Sequence, residues 1–460
     1  MAAKTTQRGR EVPEHILGPR LVLLLSVLAL TLIGFVMIYS ASSVAAIAEA
    51  TDVSQANSVS YLLDQVKFSI IGIVCALVLW KFLPYRLWTG PFLWAIWGVA
   101  LVLLALTAIM GSAALGATRW LVLGPISLQP SEFAKIAFVL MAARILCDFR
   151  AGALTVRGMF VQAGVLLLLP ILFLYRTQSD LGTTLIIFVG ILAVMWMGEV
   201  PLRAILIVLG VGIAFAIFAT VFTGYRSDRM LFLNPWDDGM NGYDKGYQLI
   251  HSFYAFSEGG LFGVGLGNSR EKFLYLPEAE TDFIFAIIGE ELGMVGALVV
   301  IGLFLALLYA GMRIARSAPD DFGTMVAGSC AVMIAFQAFL NIGCVIGVLP
   351  TTGKPLPFVS SGGSSLIATF IMVGLVLSVS QGTATEPSIY ERRRADLRIV
   401  RAEPEPTRAP RRSESDTKAS SRGSRRCGGI GWDAVSSRGA KRNDVNAGRS
   451  SNSSSRKGRR

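Results

Sequence analysis

Long runs of apolar residues, separated by short polar segments, fill the first 382 positions of the chain. About ten of these runs are long enough, or nearly so, to cross roughly 30 Å of hydrocarbon as helices. The pattern predicts an all-α polytopic membrane protein with about ten transmembrane helices in a membrane domain at 21–382. The predicted spans are 21–42, 66–83, 91–110, 132–147, 158–175, 183–198, 202–222, 283–312, 323–349 and 364–382.

The charges of the connecting loops predict which side of the membrane each loop occupies. One set of short loops is rich in Lys and Arg, whereas residues 43–65 of the opposite set contain three acidic side chains and no Lys or Arg. Because short cytoplasmic loops carry an excess of positive charge, residues 1–20 and the C-terminal end are predicted to be cytoplasmic. Residues 223–282 then form a large external loop between spans seven and eight, and a loop of this length is typically functional.

Composition supports the membrane assignment and separates a neutral body from a basic tail. The chain is 53% hydrophobic and 16% charged, and residues 383–460 contain 20 Lys and Arg against 9 Asp and Glu, which accounts for the whole net charge of +11. The tail is rich in Ser, Arg, Gly and Pro and is predicted to be disordered and cytoplasmic. This composition excludes a soluble nucleic-acid-binding enzyme and a disulfide-stapled secreted domain. Two histidines and five unpatterned cysteines argue against a His-based metal site or triad.

The densest group of candidate catalytic residues follows the long external loop. Thr281 is predicted to cap a helix with Asp282 in its first turn. Asp282 is then either a simple helix-start carboxylate or a general base at the water–membrane boundary, where partial desolvation raises the pKa of a carboxyl group. Glu290 and Glu291 lie deeper, where carboxylates are paired or functional, and pairing with Lys or Arg is the preferred interpretation.

Four further segments carry candidate charges. Ser131 is predicted as a helix cap, with Glu132 and Lys135 one turn apart as a local ion pair, although Arg119 and Lys135 are alternatively cations for an anionic lipid headgroup. Arg226 and Arg229, with Lys272, either clamp a pyrophosphate or are solvated loop charges. Asp180 is expected to cap a helix. The Pro- and Gly-rich loop at 349–365 either shapes a cavity with Lys354 at its rim or is an ordinary surface turn.

These segments together resemble the SEDS family (shape, elongation, division and sporulation), the FtsW and RodA type of peptidoglycan glycosyltransferase. The matching residues follow one another in the expected order over most of 20–382. They are Arg119 and Trp120, Gln129 to Glu132 with Lys135, Asp180 to Thr183, Gly246 to Gln248, Gly259 and Gly260, Gly263 to Gly267, Leu276 to Ala279, Thr281 to Phe285, Gly289 to Gly293, Leu349 to Gly353, and Pro357 to Ser360 with Gly362 to Ser364.

Three positions depart from the usual family pattern. Glu280 stands where a His commonly precedes the Thr-Asp pair, Ser179 replaces a Pro, and Ser361 replaces a Tyr. Glu280 matters most, because a second carboxylate beside Asp282 would raise the pKa of Asp282 or bind a cation.

The resemblance implies an enzyme that polymerises lipid II into glycan strands at the outer face of the membrane, with Asp282 as the catalytic residue. The departing lipid pyrophosphate needs positive charge to stabilise it. Nearby glutamates are expected to support the site. The implied pyrophosphate ligands are Arg119, Lys135, Arg226, Arg229 and Lys272, and the supporting residues are Glu132, Glu280, Glu290 and Glu291. The resemblance implies no specific cofactor. A divalent cation that shares the role of these cations is an alternative, but the sequence shows no cluster of metal-ligating residues, so the metal is unknown.

Residues 37–43 and the basic tail resemble the division type, FtsW, more than the elongation type, RodA. The family implies a multi-pass protein of the bacterial cytoplasmic membrane at the division septum. Its expected partners are lipid II, a class B penicillin-binding protein transpeptidase, other division proteins and membrane lipids, but no nucleic acid. The tail is expected to contact anionic lipids or cytosolic division proteins. The alternatives are a lipid II flippase, an elongation-type polymerase, and a scaffold that only recruits a transpeptidase.

Overall fold

The computed structural model describes residues 14–49, 58–114, 117–123, 126–221, 234–240, 242–244, 246–273 and 275–385. All of them belong to one compact unit, Met1–Ala402. The tail beyond residue 385, the first thirteen residues, and the part of the external loop that carries Arg226 and Arg229 lie outside the described residues. The predictions made for those segments therefore stay predictions.

The described residues fold almost entirely into α-helices. A single π-helical turn at Gly164–Leu168 joins α5 to α6, so these two helices run as one continuous helix, Val156–Gln178. The helices are α1 Glu14–Glu49, α2 Ser58–Lys81, α3 Pro91–Met110, α4 Pro130–Arg150, α5 Val156–Ala163, α6 Leu169–Gln178, α7 Leu181–Met197, α8 Leu202–Val221, α9 Tyr247–Gly259, α10 Ile284–Glu291, α11 Gly293–Arg316, α12 Asp321–Val345 and α13 Gly363–Thr385.

Each of the ten predicted apolar spans falls on one or two of these helices. By length and composition, seven helical segments in the described part of the chain are able to cross a membrane, and α7 and the start of α8 are shorter apolar helices. Helix α4 is long enough but carries charged residues at both ends. The α-helical polytopic class is confirmed, while the count of ten spans and the side of the long loop stay predictions.

A small antiparallel sheet precedes α4, and the hydrophobic pattern did not predict it. Its strands are β1 Ser112–Ala114, β2 Ala117–Leu123 and β3 Ile126–Leu128, in the order β1-β2-β3. Ala113 pairs with Thr118 and Val122 with Ser127. Strands of three to seven residues give no periodicity that separates them from a loop beside a long apolar helix. The sheet matters because β2 carries Arg119.

The protein interior is centred on α12 and α13. In the most apolar window of each of these helices 83% of the residues are buried, against 17% for α3 and 11% for α5–α6. Helix α12 packs against α7, α11, α13 and α4, whereas α13 packs chiefly against α2. Polar side chains on α4 and α12 are consequently enclosed by protein, and this placement produces the site described below.

The predicted span at 283–312 is divided into two helices. Helix α10 ends at Glu291, and α11 begins at Gly293, whose φ of +67° lies in the left-handed region. A Cβ at Gly293 would collide with the backbone of Gly263 and Leu261, so only glycine fits this break. The predicted helix start is wrong by two to three residues: Phe283 precedes α10, and Asp282 lies in the segment before the helix rather than in its first turn.

Candidate functional site

Asp282 lies, partly buried, where the long segment that follows α8 meets α10. Its backbone oxygen accepts a 2.7 Å hydrogen bond from Nδ2 of Asn341 on α12. Its carboxylate lies beside Gly353, since a Cβ built on Gly353 would be 3.2 Å from Oδ2 of Asp282. Within the described part of the chain no hydrogen bond reaches this carboxylate, which leaves it able to accept a proton.

The surroundings of Asp282 raise its pKa to about 6. Burial is the main cause, because it disfavours the charged form, and the Glu278 carboxylate adds repulsion. Lys354 and Arg119 act in the opposite direction. A carboxyl group with this pKa is mostly ionised at neutral pH and still basic enough to take a proton, which is the balance that general base catalysis needs.

Next to Asp282 lies a four-residue ionic network made of Glu132, Lys135, Asp180 and Lys354. The Lys354 Nζ atom is 2.8 Å from Oδ2 of Asp180 and 3.3 Å from Oε1 of Glu132. The Lys135 Nζ atom is 2.7 Å from Oε2 of Glu132. All four residues are at most 2% exposed. The prediction of a Glu132–Lys135 pair is confirmed, whereas Lys354 is enclosed in the protein and not at a cavity rim.

The ionic network opposes the effect of burial on Asp180 and Lys354. Burial alone would raise the pKa of Asp180, but the Lys354 ammonium and the Arg119 guanidinium hold it well below the usual range. Burial would likewise lower the pKa of Lys354, yet Asp180 and Glu132 raise it above its usual value. Asp180 also caps α7 as predicted, since its carboxylate accepts a 3.0 Å hydrogen bond from the backbone of Thr183.

Two amide side chains on α12 connect the ionic network to the loop after that helix. Gln337 accepts a 2.7 Å hydrogen bond from Nζ of Lys135 and donates a 3.0 Å bond to the Pro355 carbonyl. Asn341 donates to the carbonyl oxygens of both Asp282 and Lys354, at 2.7 and 2.8 Å. Neither amide was predicted as a site residue. In the sequence, only their position as polar residues in an apolar helix sets them apart.

Arg119 is the predicted cation that the structure places near Asp282. It lies on β2 and is partly exposed, with Nε 3.2 Å from the Gln178 carbonyl oxygen and Nη2 3.1 Å from that of Ser179. Its charge lowers the pKa of both Asp180 and Asp282. Arg119 therefore contributes positive charge beside the candidate base while keeping contact with the molecular surface.

A second ionic cluster holds the loop before α10. The Lys272 Nζ atom is 3.0 Å from Oε1 of Glu291. It also donates hydrogen bonds to the Gly267 carbonyl and to the Ser40 hydroxyl of α1. Glu290 accepts 2.5 Å hydrogen bonds from the Ser269 hydroxyl and the Arg270 backbone. Glu291 thus pairs with a lysine as predicted, whereas Glu290 is held by a hydroxyl and by backbone N–H groups and forms no ion pair with a described Lys or Arg side chain. The assignment of Lys272 to pyrophosphate binding stays a prediction, since Glu291 already engages its charge.

The remaining predicted residues have simpler positions. The Glu280 carbonyl accepts a 2.9 Å hydrogen bond from the Ser361 backbone, and the carboxylate that raises the pKa of Asp282 is that of Glu278. Ser131 does not cap α4: Gln129 precedes the helix, and the Ser131 hydroxyl is buried with no hydrogen bond to any described residue. Arg226 and Arg229 lie outside the described residues.

The carboxylates near Asp282 do not add up to a donor set for a metal ion. Among the described residues no three His, Cys, Asp or Glu side chains come together in an arrangement that would hold a metal ion. Asp180 and Glu132 each form an ion pair with Lys354, so their charges are already balanced by an ammonium group. The described residues therefore do not form a metal site.

Comparison with known proteins identifies the family of this chain. The model of the FtsW, RodA and SpoVE family, described as cell cycle protein, matches residues 20–385. A protein of Trichlorobacter lovleyi named probable peptidoglycan glycosyltransferase FtsW is 40% identical over 372 residues, covering 80% of this chain and 94% of its own. Stage V sporulation protein E of Bacillus subtilis is 38% identical over 368 residues, covering 79% and 97%.

Two solved structures share the fold. One, from work on the structural coordination of polymerization and crosslinking by a peptidoglycan synthase complex, matches with a TM-score of 0.62 at 29% identity and covers 78% of this chain and 97% of that one. The rod shape determining protein RodA of Thermus thermophilus matches with a TM-score of 0.56 at 30% identity, covering 78% and 95%. With a family match across its whole helical body, the chain belongs to the FtsW, RodA and SpoVE family of polytopic membrane proteins, the SEDS family.

Proposed function

We infer that this chain is a peptidoglycan glycosyltransferase of the division type, and that it polymerises lipid II into glycan strands at the outer face of the cytoplasmic membrane. The relatives named FtsW support the activity and its septal role. The observation that carries the chemistry is the Asp282 carboxylate, which has a pKa of about 6, no hydrogen bond from the described residues, and a cation, Arg119, in its neighbourhood.

In the proposed reaction Asp282 is the general base. A hydroxyl group of the acceptor sugar attacks the anomeric carbon of the lipid-linked donor, and its proton passes to the Asp282 carboxylate. The bond between the anomeric carbon and the pyrophosphate oxygen breaks, and the lipid pyrophosphate leaves with the bonding electrons. One glycosidic bond forms for each lipid pyrophosphate released.

Positive charge for the departing pyrophosphate comes first from Arg119 in this proposal. Arg119 is partly exposed, and its two described hydrogen bonds go to neutral carbonyl groups. Lys135 and Lys272, in contrast, are buried and each is engaged by a glutamate. Arg226 and Arg229 remain proposed ligands beyond the described residues. Preorganised cations of this kind stabilise charge that develops in the transition state.

The proposed partner is a class B penicillin-binding protein that cross-links the strands. The similar solved chain from a peptidoglycan synthase complex, in which polymerization is coordinated with crosslinking, supports such a partner. We also propose that both termini are cytoplasmic, that the protein acts at the division septum with other division proteins, and that the basic tail contacts anionic lipids or those proteins. The excess of Lys and Arg in one set of loops and in the tail supports this orientation.

The test is glycan-strand formation from lipid II by the purified chain with its partner transpeptidase. Asp282→Asn keeps the size of the side chain and the backbone bond to Asn341 but cannot accept the proton. We expect its rate to fall at least about 100-fold, within the usual contribution of a general base. Glu258→Gln, which alters an exposed carboxylate of the same external segment, is the matched control and keeps the wild-type rate.

Three outcomes would contradict parts of this proposal. Equal polymer from wild type and a folded Asp282→Asn variant would remove Asp282 from the mechanism and direct attention to Glu280. Absence of polymer from the wild type, under conditions in which a related enzyme is active, would favour the lipid II flippase or the scaffold. Polymer formed only with an elongation partner would favour the elongation type.

A further inference from the structure

The geometry points to Asn341 as a positioning residue for the reaction, one that fixes the backbone of Asp282 against the loop carrying Lys354. This inference rests on the proposed function, because Asp282 must be the base for its position to matter. The described hydrogen bonds of Asn341 go to two backbone carbonyl groups and not to a carboxylate. Its role is to decide where the Asp282 carboxylate lies.

A single amide group joins two irregular segments. Nδ2 of Asn341 donates to the carbonyl oxygens of Asp282 and Lys354 at 2.7 and 2.8 Å, which uses both of its hydrogen atoms. Neither acceptor lies inside a helix: Asp282 precedes α10, and Lys354 is in the extended loop between α12 and α13. Asn341, by contrast, is 2% exposed and lies on α12, one of the two most enclosed helices. The amide therefore transfers the rigidity of α12 to both segments.

The second segment is itself fixed, so the bridge has a firm anchor. The Lys354 ammonium is enclosed and held by Asp180 and Glu132. Gly182 leaves room for the stem of that lysine, because a Cβ there would lie 2.7 Å from Cγ of Lys354. The preceding residue, Gly353, lies against the Asp282 carboxylate. The Asn341 bridge thus holds the carboxylate in a place defined by the ionic network.

Removing the bridge would change both the position and the charge environment of Asp282. The groups that act on its pKa are Glu278 before α10, Lys354 in the last loop, Arg119 on β2 and Asp180 at the start of α7, together with burial. With Asn341→Ala, the segment at 282 is free to move toward water. The pKa of Asp282 then falls toward the ordinary value of about 3.9 for an aspartate. A displacement near 1 Å at a reacting group costs about 100-fold in rate.

Gln337→Ala is a closely matched control. Gln337 lies one helical turn before Asn341, is 0% exposed, and also donates two hydrogen bonds from its amide nitrogen, to the Pro355 carbonyl and the Ser365 hydroxyl. Neither of these bonds reaches Asp282. Gln337→Ala also removes the oxygen that accepts a 2.7 Å hydrogen bond from Lys135, whose ammonium group keeps its pair with Glu132. It is therefore expected to lower the unfolding temperature at least as much as Asn341→Ala does, which makes it a demanding control for a loss of stability alone.

The experiment measures kcat, KM and the acidic side of the pH–rate profile for the full chain with its partner transpeptidase. We expect Asn341→Ala to lower kcat by about 10- to 100-fold, to leave KM within about threefold, and to move the acidic midpoint from near pH 6 to lower pH. We expect Gln337→Ala to keep the midpoint. Asn341→Ser, which retains one donor, is expected to fall between Asn341→Ala and the wild type.

The outcomes separate this inference from the proposed function. If Asn341→Ala matches Gln337→Ala in kcat and in the acidic midpoint, Asn341 is merely structural and the inference is overturned. If Asn341→Ala does not fold, Asn341→Ser is judged by the same criteria. If the wild type makes no polymer, or if Asp282→Asn is fully active, the proposed function has failed instead.

Discussion

At the residue scale, burial and the Glu278 and Asp180 carboxylates raise the pKa of Asp282, whereas Lys354 and Arg119 lower it. Glu278 is exposed, and its charge raises the pKa of Asp282 in the same direction as burial does. Because the proposed general base must be ionised, the rate of polymerisation is expected to fall as the pH drops through about 6. On this proposal Glu278 shifts the pH range of the enzyme without entering the reaction.

This assignment predicts the effect of Glu278→Gln. Removal of the neighbouring negative charge lowers the pKa of Asp282, so the acidic midpoint of the pH–rate profile moves to lower pH. The shift is expected to be less than about one pH unit, because water and salt screen an exposed charge. Glu258→Gln, on an exposed carboxylate paired with Arg270, leaves the midpoint unchanged. An unchanged midpoint in Glu278→Gln would show that Glu278 does not contribute to this pKa.

A second residue-scale prediction concerns the glycine beside Asp282. Gly353 has a φ of +65°, and its Cβ position is 3.2 Å from Oδ2 of Asp282. Gly353→Ala is therefore expected to destabilise the fold by about 1 kcal/mol, from the left-handed backbone, and also to displace the carboxylate. Gly152→Ala has a similar φ of +74° but open space around its Cβ.

Gly152→Ala is thus the control for backbone strain alone. Unfolding temperatures in detergent should drop similarly for the two variants, whereas the rate of polymerisation should drop only for Gly353→Ala. Equal rates in both variants would mean that the carboxylate has room to adjust.

The sequence predicted Asp282 but not its immediate partners. Asp282 was identified because a carboxylate follows a long external loop and matches a family motif. Lys354 bonds Glu132 across 222 residues of sequence, and Asn341 bonds Asp282 across 59. No local spacing encodes contacts over such separations, so the three-dimensional fold was needed to find them.

At the scale of elements, the division between α10 and α11 determines how the loop at residues 264–272 is attached to the end of α10. Glu290 and Glu291, at the end of α10, bind the loop at residues 267–272, and Glu291 also accepts a 2.6 Å hydrogen bond from Ser40 of α1. Because the helix is interrupted here, the backbone oxygens of Glu290 and Glu291 also accept hydrogen bonds from the backbone of Val264 and Gly265, at 3.0 and 3.1 Å. The side chains and the backbone at the end of α10 therefore together hold the loop at residues 264–272.

The Lys272–Glu291 pair provides an element-scale prediction. The two side chains are 3% and 0% exposed, and breaking such a pair typically costs about 3–5 kcal/mol because a buried charge is left unpaired. Lys272→Met is therefore expected to lower the unfolding temperature strongly. The double variant Lys272→Met, Glu291→Gln removes both charges and is expected to recover most of the stability and the rate of polymerisation.

The double variant also tests the predicted role of Lys272 in pyrophosphate binding. A stable but inactive double variant would show that the ammonium group serves the substrate rather than the fold. Lys67→Ala is the control for loss of a lysine charge. Its pair with Asp64 is 62% and 59% exposed, and exposed pairs contribute only about 0–1 kcal/mol.

Elements were predicted well where they are long and apolar. All ten predicted runs coincide with helices because twenty or so apolar residues have few alternatives to a helix. The three-stranded sheet, the start of α10 and the break at Gly293 were missed. Each depends on close backbone contacts, such as that of Gly293 with Gly263, which hydrophobic periodicity does not record.

At the scale of the whole molecule, a neutral helical body is followed by a basic tail. Deletion of residues 384–460 removes all of the surplus positive charge. We expect the helical body to keep its polymerising activity while septal localisation and recovery of partner proteins decline, because each Lys or Arg near an anionic membrane contributes about 1 kcal/mol. Localisation by microscopy and affinity recovery measure the two effects. No change in either would refute a recruiting role for the tail.

The ionic network has a consequence for how the enzyme responds to the cell's energy state. Its two carboxylates, Glu132 and Asp180, and its two ammonium groups, Lys135 and Lys354, sum to zero formal charge. A single displaced charge would feel about 2.3 kcal/mol for every 100 mV of transmembrane voltage, but in a neutral group the forces nearly cancel. With all four groups charged, we therefore expect the ionic network beside Asp282 to respond little to voltage and to keep the same geometry in an energised and in a depolarised membrane.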